Sequence, residues 1–342
     1  MTTAEPRARP GPRNLITDVP GLKVGQAEDL RVRSGVTVIL PERRAICACD
    51  VRGGGPGTRE TDALAADTLV DAVDAVVLSG GSVYGLAAAD GVCAWLGARD
   101  RGFVVSSDPA VPVSPVIPAA ILFDLANGGD KTWGEAPPYG ALGRQAVASA
   151  DAAFELGSAG AGCGAMAGAI KGGVGSASVV SADGFTVGAV VAVNCWGSVV
   201  APGGRTFWAA PYEIDAEFGG LGSAGLSAAP DDWGLSKAPA GGRNTTIACV
   251  AVDAVLTLAQ ARRVAVMAQD GLARAIRPVH APFDGDVVFA LSTAVRPLAE
   301  PAAYAVARLG ALAADCLARA VARGVHAARA WPGVAVQTWG DL

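Results

Sequence analysis

The chain reads as an α/β protein on three observations. Short apolar runs alternate with helix-like segments, glycine turns stand at the joins, and small aliphatic side chains carry the apolar content. Of 342 residues, 51% are hydrophobic, yet only 6% are aromatic and 17% charged. About a fifth are alanine, beside 45 glycines, which suits tightly packed backbone layers. At about 150 residues per domain, this length allows one large domain or two.

Residues 1–14 (MTTAEPRARPGPRN) are rich in Pro and Arg and lack an apolar stretch, which predicts a disordered tail rather than a signal peptide and, by default, a cytoplasmic protein. Residues 35–40 (GVTVIL) predict a strand. Cys47 and Cys49, two apart, would share one face of another. The glycine loop 51–62 (VRGGGPGTRETD) lacks the lysine of a phosphate-binding G-x-x-x-x-G-K-[ST] pattern, so a close-approach turn is expected. A helix over 63–71, a strand over 75–78, a turn at Ser79-Gly80-Gly81-Ser82 and a helix over 84–97 follow. Pro109, Pro112, Pro115 and Pro118 then exclude a regular helix.

The pattern over 140–155 is helical. Residues 157–168 (GSAGAGCGAMAG) approximate G-x-G-x-x-[GA], but no hydrophobic strand precedes them and no acidic residue closes a second βαβ unit. Close approach of backbone to backbone, or to a substrate, is expected there instead of a dinucleotide. Residues 173–202 predict a hairpin of buried strands, and 203–243 an exposed linker rich in Gly, Ala, Pro, Ser and Asp. A strand over 245–252, a helix opened by the capping box Thr257-x-x-Gln260, a strand over 286–292 and a helix over 302–323 complete the chain.

The formal net charge of -5, without Lys/Arg clusters, gives no electrostatic footprint for nucleic acid. Residues 184–204 are uncharged, but Thr186, Asn194, Ser198 and several glycines favour two buried strands over a membrane span. Only two histidines occur, His280 and His326, which excludes a multi-histidine metal site. The seven scattered cysteines read as reduced, buried thiols, so neither metal nor cofactor is expected.

With imidazole so scarce, a nucleophilic hydroxyl would need another base. The free α-amine of an N-terminal Thr or Ser, with a pKa of about 7.7–8.0, is one. A Gly/Pro linker abutting a strand that begins Asn244-Thr245-Thr246 is the layout that self-cleavage would need, although Thr-Thr at a strand start is also ordinary β-propensity. Asn194 interrupts the apolar run Val190-Val191-Ala192-Val193, and a buried Asn there is costly unless paired. Its alternative is a side chain closing the turn before Cys195. Lys171, in Ala-Ile-Lys-Gly-Gly, reads equally as a solvated loop lysine or a functional one. Asp284 and Asp286 flank Gly285 and by themselves read as an Asp-Gly turn, Tyr84 as an aromatic at a helix start, and His280 as structural.

Seven segments in order, NLITDVPGLKVGQ (14–26), GGGPGTRETD (53–62), LSGGSVYGLAAADGV (78–92), IPAAILFDL (117–125), GAGCGAMAGAIKGGVGSAS (160–178), GRNTTIACVAVDA (242–254) and RPVHAPFDGDVVFAL (277–291), resemble the DmpA-type aminopeptidases. This group of N-terminal-nucleophile hydrolases includes β-peptidyl aminopeptidases and nylon-oligomer hydrolases. The resemblance implies a four-layer αββα sandwich, shared in outline with ornithine acetyltransferase. It also implies one domain over 15–342, self-cleaved between Asn244 and Thr245 into an α chain 1–244 and a β chain 245–342.

The same resemblance implies Thr245 as nucleophile and amine base, Asn194 as oxyanion donor and Lys171 as the lysine beside the amine. Asp284 and Asp286 would orient Thr245, and Tyr84 would line the cleft. The Asn-Thr-Thr context is that of the nylon-oligomer branch, where the better-known aminopeptidases have Gly-Ser. The expected activity is removal of N-terminal residues from small peptides or amides through an acyl-enzyme. Endo-cleavage of 6-aminohexanoate oligomers, acyl transfer and a non-catalytic binding relative are the alternatives. The resemblance implies a homotetramer.

Overall fold

A computed structural model describes residues 8–224, 226–238 and 244–342. Two five-stranded sheets form its middle. The first joins β1 (Leu22–Asp29), β2 (Ser34–Pro41), β5 (Val76–Ser79), β6 (Ala119–Ile121) and β4 (Thr58–Arg59), in that order. The second joins β3 (Ile46–Val51), β12 (Val287–Arg296), β11 (Thr245–Ala254), β10 (Thr186–Asn194) and β9 (Val174–Val180). A two-residue ribbon, β7 (Met166–Ala167) with β8 (Ile170–Lys171), stands beside them. The helices are α1 (Ala88–Gly97), α2 (Tyr139–Ala148), α3 (Leu258–Ala275) and α4 (Ala302–His326).

Alternation along the strands produces the layers. On β11, Ile247, Cys249 and Ala251 point into a core shared with Val76, Leu78 and Ala120 of the first sheet, while Ala248, Val250 and Val252 point to Leu272 of α3 and Leu317 of α4. The outer face of the first sheet packs on Val92 and Leu96 of α1 and Leu142 of α2. The order is therefore helices, sheet, sheet, helices, the predicted αββα sandwich. Cys47 and Cys49 share the inter-sheet face of β3 as expected. The Thr257 capping box opens α3, which crosses over between the parallel strands β11 and β12.

Several segments differ from expectation. Instead of a helix over 63–71 there is one 3-10 turn, Asp62–Leu64, because only Leu64 there supplies a buried apolar side chain. α2 stops at Ala148, since the Asp151 backbone is captured by Val24 on the edge of β1. Residues 8–14, expected in the disordered tail, run along the protein: Arg9 pairs with Val180, and the Asn14 side chain meets Glu217 and Arg319. Residues 1–7 lie outside the described residues. Phe207 and Phe218, in the segment expected to be an exposed linker, are buried against each other, with Phe207 stacked on Trp339. The end of that segment, 239–243, lies outside the described residues.

Gly162 in the glycine loop serves close approach. A Cβ there would stand 2.3 Å from the Val174 nitrogen and 2.4 Å from the Gly157 oxygen. Among the described residues, no helix is long and apolar enough to cross a membrane, and no cluster of His, Cys, Asp or Glu could hold a metal ion.

Candidate active site

Period-two alternation carries one step further at the start of β11. Ile247 and Cys249 face the inter-sheet core, so Thr245 faces the same layer at its mouth. On β10, Val190 and Ala192 face that core, which directs Asn194 there too. The antiparallel register sets Asn194 directly opposite Thr245. Two residues 51 apart in sequence are thus paired by register alone, and both are buried, at 1% and 3% exposure.

The turn before β12 closes over this strand end. The Gly285 N–H donates to the Asn244 carbonyl at 3.0 Å, and the Thr245 hydroxyl donates to that same carbonyl. A Cβ on Gly285 would come 2.7 Å from the Thr245 Oγ1, so only glycine lets the turn approach so closely. Asp286 accepts from the Thr246 N–H at 2.7 Å and, through its other oxygen, faces His280 Nδ1 at 2.8 Å. Asp284 accepts the N–H groups of Ala281 at 3.2 Å and Trp196 at 3.4 Å. Burial, then the charge of Asp286, pushes the Asp284 carboxyl up to about 7 despite those donors.

Asn194 is oriented from both ends. Its Oδ1 accepts the Met166 N–H and its Nδ2 donates to the Phe123 carbonyl, each at 2.9 Å, leaving one Nδ2 hydrogen uncommitted among the described residues. Lys171 is completely buried rather than solvated. Its ammonium donates to the carbonyls of Gly162 (2.9 Å), Ala165 (3.1 Å) and Gly172 (2.8 Å), and desolvation lowers its pKa to about 8. Lys171 therefore pins the loop whose next residue, Met166, holds Asn194.

A cavity of about 310 Å³ opens on this strand end, lined among others by Asn194, Met166, Phe123, Asp124, Lys237 and Trp331. Asp124 accepts from the Ser34 hydroxyl and the Gly81 N–H, both at 2.7 Å, and burial raises its pKa. Of the sequence-predicted site residues only Asn194 lines this cavity; Thr245 is joined to it as the register partner of Asn194, whereas Tyr84 is 46% exposed and packs edge-on against Trp133 at 5.6 Å. The structure thus gathers Thr245, Asn194, Asp284 and Asp286, holds Lys171 one contact away and leaves Tyr84 outside.

Sequence reasoning passed over Lys237, Asp124, Gly285 and the His280 contact to Asp286. Of these, Lys237 had a usable signal: it is a lone lysine in an acidic linker, seven residues before the Asn-Thr bond.

The model of peptidase family S58 matches residues 14–338. An uncharacterized aminopeptidase of Mycobacterium tuberculosis is 43% identical over 351 residues, covering 96% of this chain and 98% of that protein. A 6-aminohexanoate-oligomer endohydrolase of Kocuria sp. is 28% identical over 296 residues, covering 83% of this chain and 76% of that one. Among solved structures, the L-aminopeptidase D-Ala-esterase/amidase of Ochrobactrum anthropi, described as a variant of the Ntn-hydrolase fold, matches with a TM-score of 0.71 at 22% identity. That match covers 95% of this chain and 89% of that one, so the αββα sandwich is an Ntn-hydrolase fold.

Proposed function

The chain belongs to peptidase family S58, and we propose that it is a self-processing amidohydrolase with Thr245 as its nucleophile. One observation carries the reading: Thr245 opens a buried strand opposite Asn194, with its hydroxyl against the carbonyl of the preceding residue. In the first reaction the Thr245 Oγ1 bonds to the Asn244 carbonyl carbon, and the C–N bond to Thr245 breaks. The departing nitrogen takes up the hydroxyl proton and becomes a free amine. Water then hydrolyses the ester, giving an Asn244 carboxylate and restoring the Thr245 hydroxyl.

That amine has a reference pKa of about 7.7–8.0, suited to act as the base that imidazole supplies elsewhere. In the second reaction it accepts the hydroxyl proton while Oγ1 attacks a substrate amide, and passes that proton to the leaving amine. The uncommitted Nδ2 hydrogen of Asn194 would meet the oxyanion. Asp286, on the Thr246 N–H, would hold the strand end, and Asp284 would set the local charge. Deacylation by water frees the acid product.

The substrate class is short peptides or amides with a free amino end. A second reading, endo-cleavage of amide oligomers, is favoured by the Asn-Thr-Thr context together with the similarity to the Kocuria endohydrolase.

Incubating purified protein with L-aminoacyl p-nitroanilides, 6-aminohexanoate oligomers, and N-acetylornithine plus glutamate tests the proposal. We expect p-nitroaniline release that Thr245→Ala abolishes. Internal scission of the oligomers without p-nitroaniline release would favour the second reading. Acetyl transfer alone, no turnover, or turnover that survives Thr245→Ala would overturn both.

A further inference from the structure

In the uncleaved chain the amine that serves as base does not yet exist, and the peptide to be broken must be held by other groups. The Asn244 N–H donates to the Phe283 carbonyl at 3.3 Å, and its two oxygens are met from the turn before β12 and from the segment ahead of the bond. The Gly285 N–H lies on its main-chain carbonyl at 3.0 Å. The Lys237 ammonium lies on its side-chain Oδ1 at 2.6 Å and reaches the Asn194 carbonyl at 3.4 Å. Lys237 is itself fixed, since its N–H donates to the Trp196 carbonyl at 2.9 Å. One ammonium therefore ties the last residue before the bond to the strand that faces Thr245.

We propose that Lys237 is a positioning residue for self-cleavage. It clamps the Asn244 side chain to the end of β10, so that with the Gly285 N–H on the carbonyl the Asn244–Thr245 peptide is presented to the Thr245 hydroxyl. The inference rests on the self-processing reading above. The bond changes are those already written: Oγ1–C forms, C–N breaks, and the nitrogen takes the hydroxyl proton. Lys237 acts through Asn244 and neither gives nor takes a proton. Unlike the amine of Thr245, it is in place before any cleavage. A charge-assisted bond is about twice as strong as a neutral one, so the charged form is the effective clamp. The groups facing it are the Asp284 carboxyl from the turn before β12 and the thiol of Cys195, the residue after β10, and desolvation brings the ammonium down to about 8.

The test is a time course of chain cleavage, read by intact mass after synthesis of the full chain in a cell-free system, for wild type, Lys237→Met and Lys237→Arg. We expect Lys237→Met to mature at least about tenfold more slowly, the loss of one charged hydrogen bond, and Lys237→Arg to recover most of the rate. The rate ratio of Lys237→Arg to wild type should rise by about fivefold between pH 7 and 9.5, as lysine but not arginine loses its charge. That ratio decides the matter even if Lys237→Met fails to fold, and a flat ratio overturns the inference. Lys237→Met maturing at the wild-type rate, or Lys237→Arg as slow as Lys237→Met, overturns it too. A wild-type chain that never cleaves overturns the self-processing reading along with it.

Discussion

At the end of the second sheet, Thr245, Asn194, Asp284 and Asp286 are each at most 3% exposed and hydrogen-bonded. Across the first sheet, the segment after β5 leaves Tyr84 46% exposed, with one aromatic neighbour. The difference is one of how position is determined. Strand register and backbone hydrogen bonds fix the buried wall, so a small displacement there breaks several bonds at once. An exposed aromatic packed on one ring has no such constraint. The buried wall suits chemistry, which needs fixed donors in a low dielectric, and the exposed side suits recognition.

Substitutions can break or sharpen this contrast. The largest effect is expected for Thr245→Ala, which should cut amide turnover at least about 10⁴-fold. Asn194→Leu, nearly isosteric, removes the donor aimed at the oxyanion. Steady-state kinetics of matured enzyme should show kcat falling about 10²–10³-fold with little change in KM. Lys171→Met would leave three carbonyls without their ammonium and, by denaturant melts, destabilise the fold by about 2 kcal/mol or more.

Asp284→Asn should act through pH. With its pKa raised to about 7, the Asp284 carboxyl is neutral below that pH and charged above it, so two groups shape the acid limb of the activity, and the substitution should leave a shallower one set by the Thr245 amine alone at about 7.7–8.0. The sign for stability is the reverse. Because the folded value lies above the ordinary carboxylate value, the group favours the native state below about pH 4, and that contribution is lost as pH rises through about 7. Urea melts of wild type and Asp284→Asn across that window should show it. Tyr84→Ala, on the exposed side, should change kcat/KM by no more than about threefold, and a hundredfold loss would erase the contrast between the walls.

Much of the buried wall was legible because it is written in period-two patterns: Val190 to Val193 running into Asn194, and the strand starting at Thr245. The four-layer order, and the meeting of those two strand ends, came through family resemblance. Alternation alone does not set which strands pair. Lys171 was ambiguous because its partners are main-chain carbonyls, which no side-chain pattern announces. Lys237 was passed over for a related reason, although it is the one lysine of its segment. Its neighbours Asn194 and Asn244 are 43 and 7 residues away, and a segment rich in Gly, Pro and Ser reads as linker whatever single lysine it carries. Residues 8–14 misled because Pro and Arg suggest disorder, while Asn14 is bonded to the buried Arg319 and Glu217.

The central claim is that the chain makes its own catalytic terminus, and the intact mass of purified protein tests it most directly. The account predicts two species from wild type, one ending at Asn244 and one of 98 residues (342 − 244) beginning at Thr245, and one full-length species from Thr245→Ala. A single full-length wild-type chain, or a Thr245→Ala chain cut at the same bond, would contradict it.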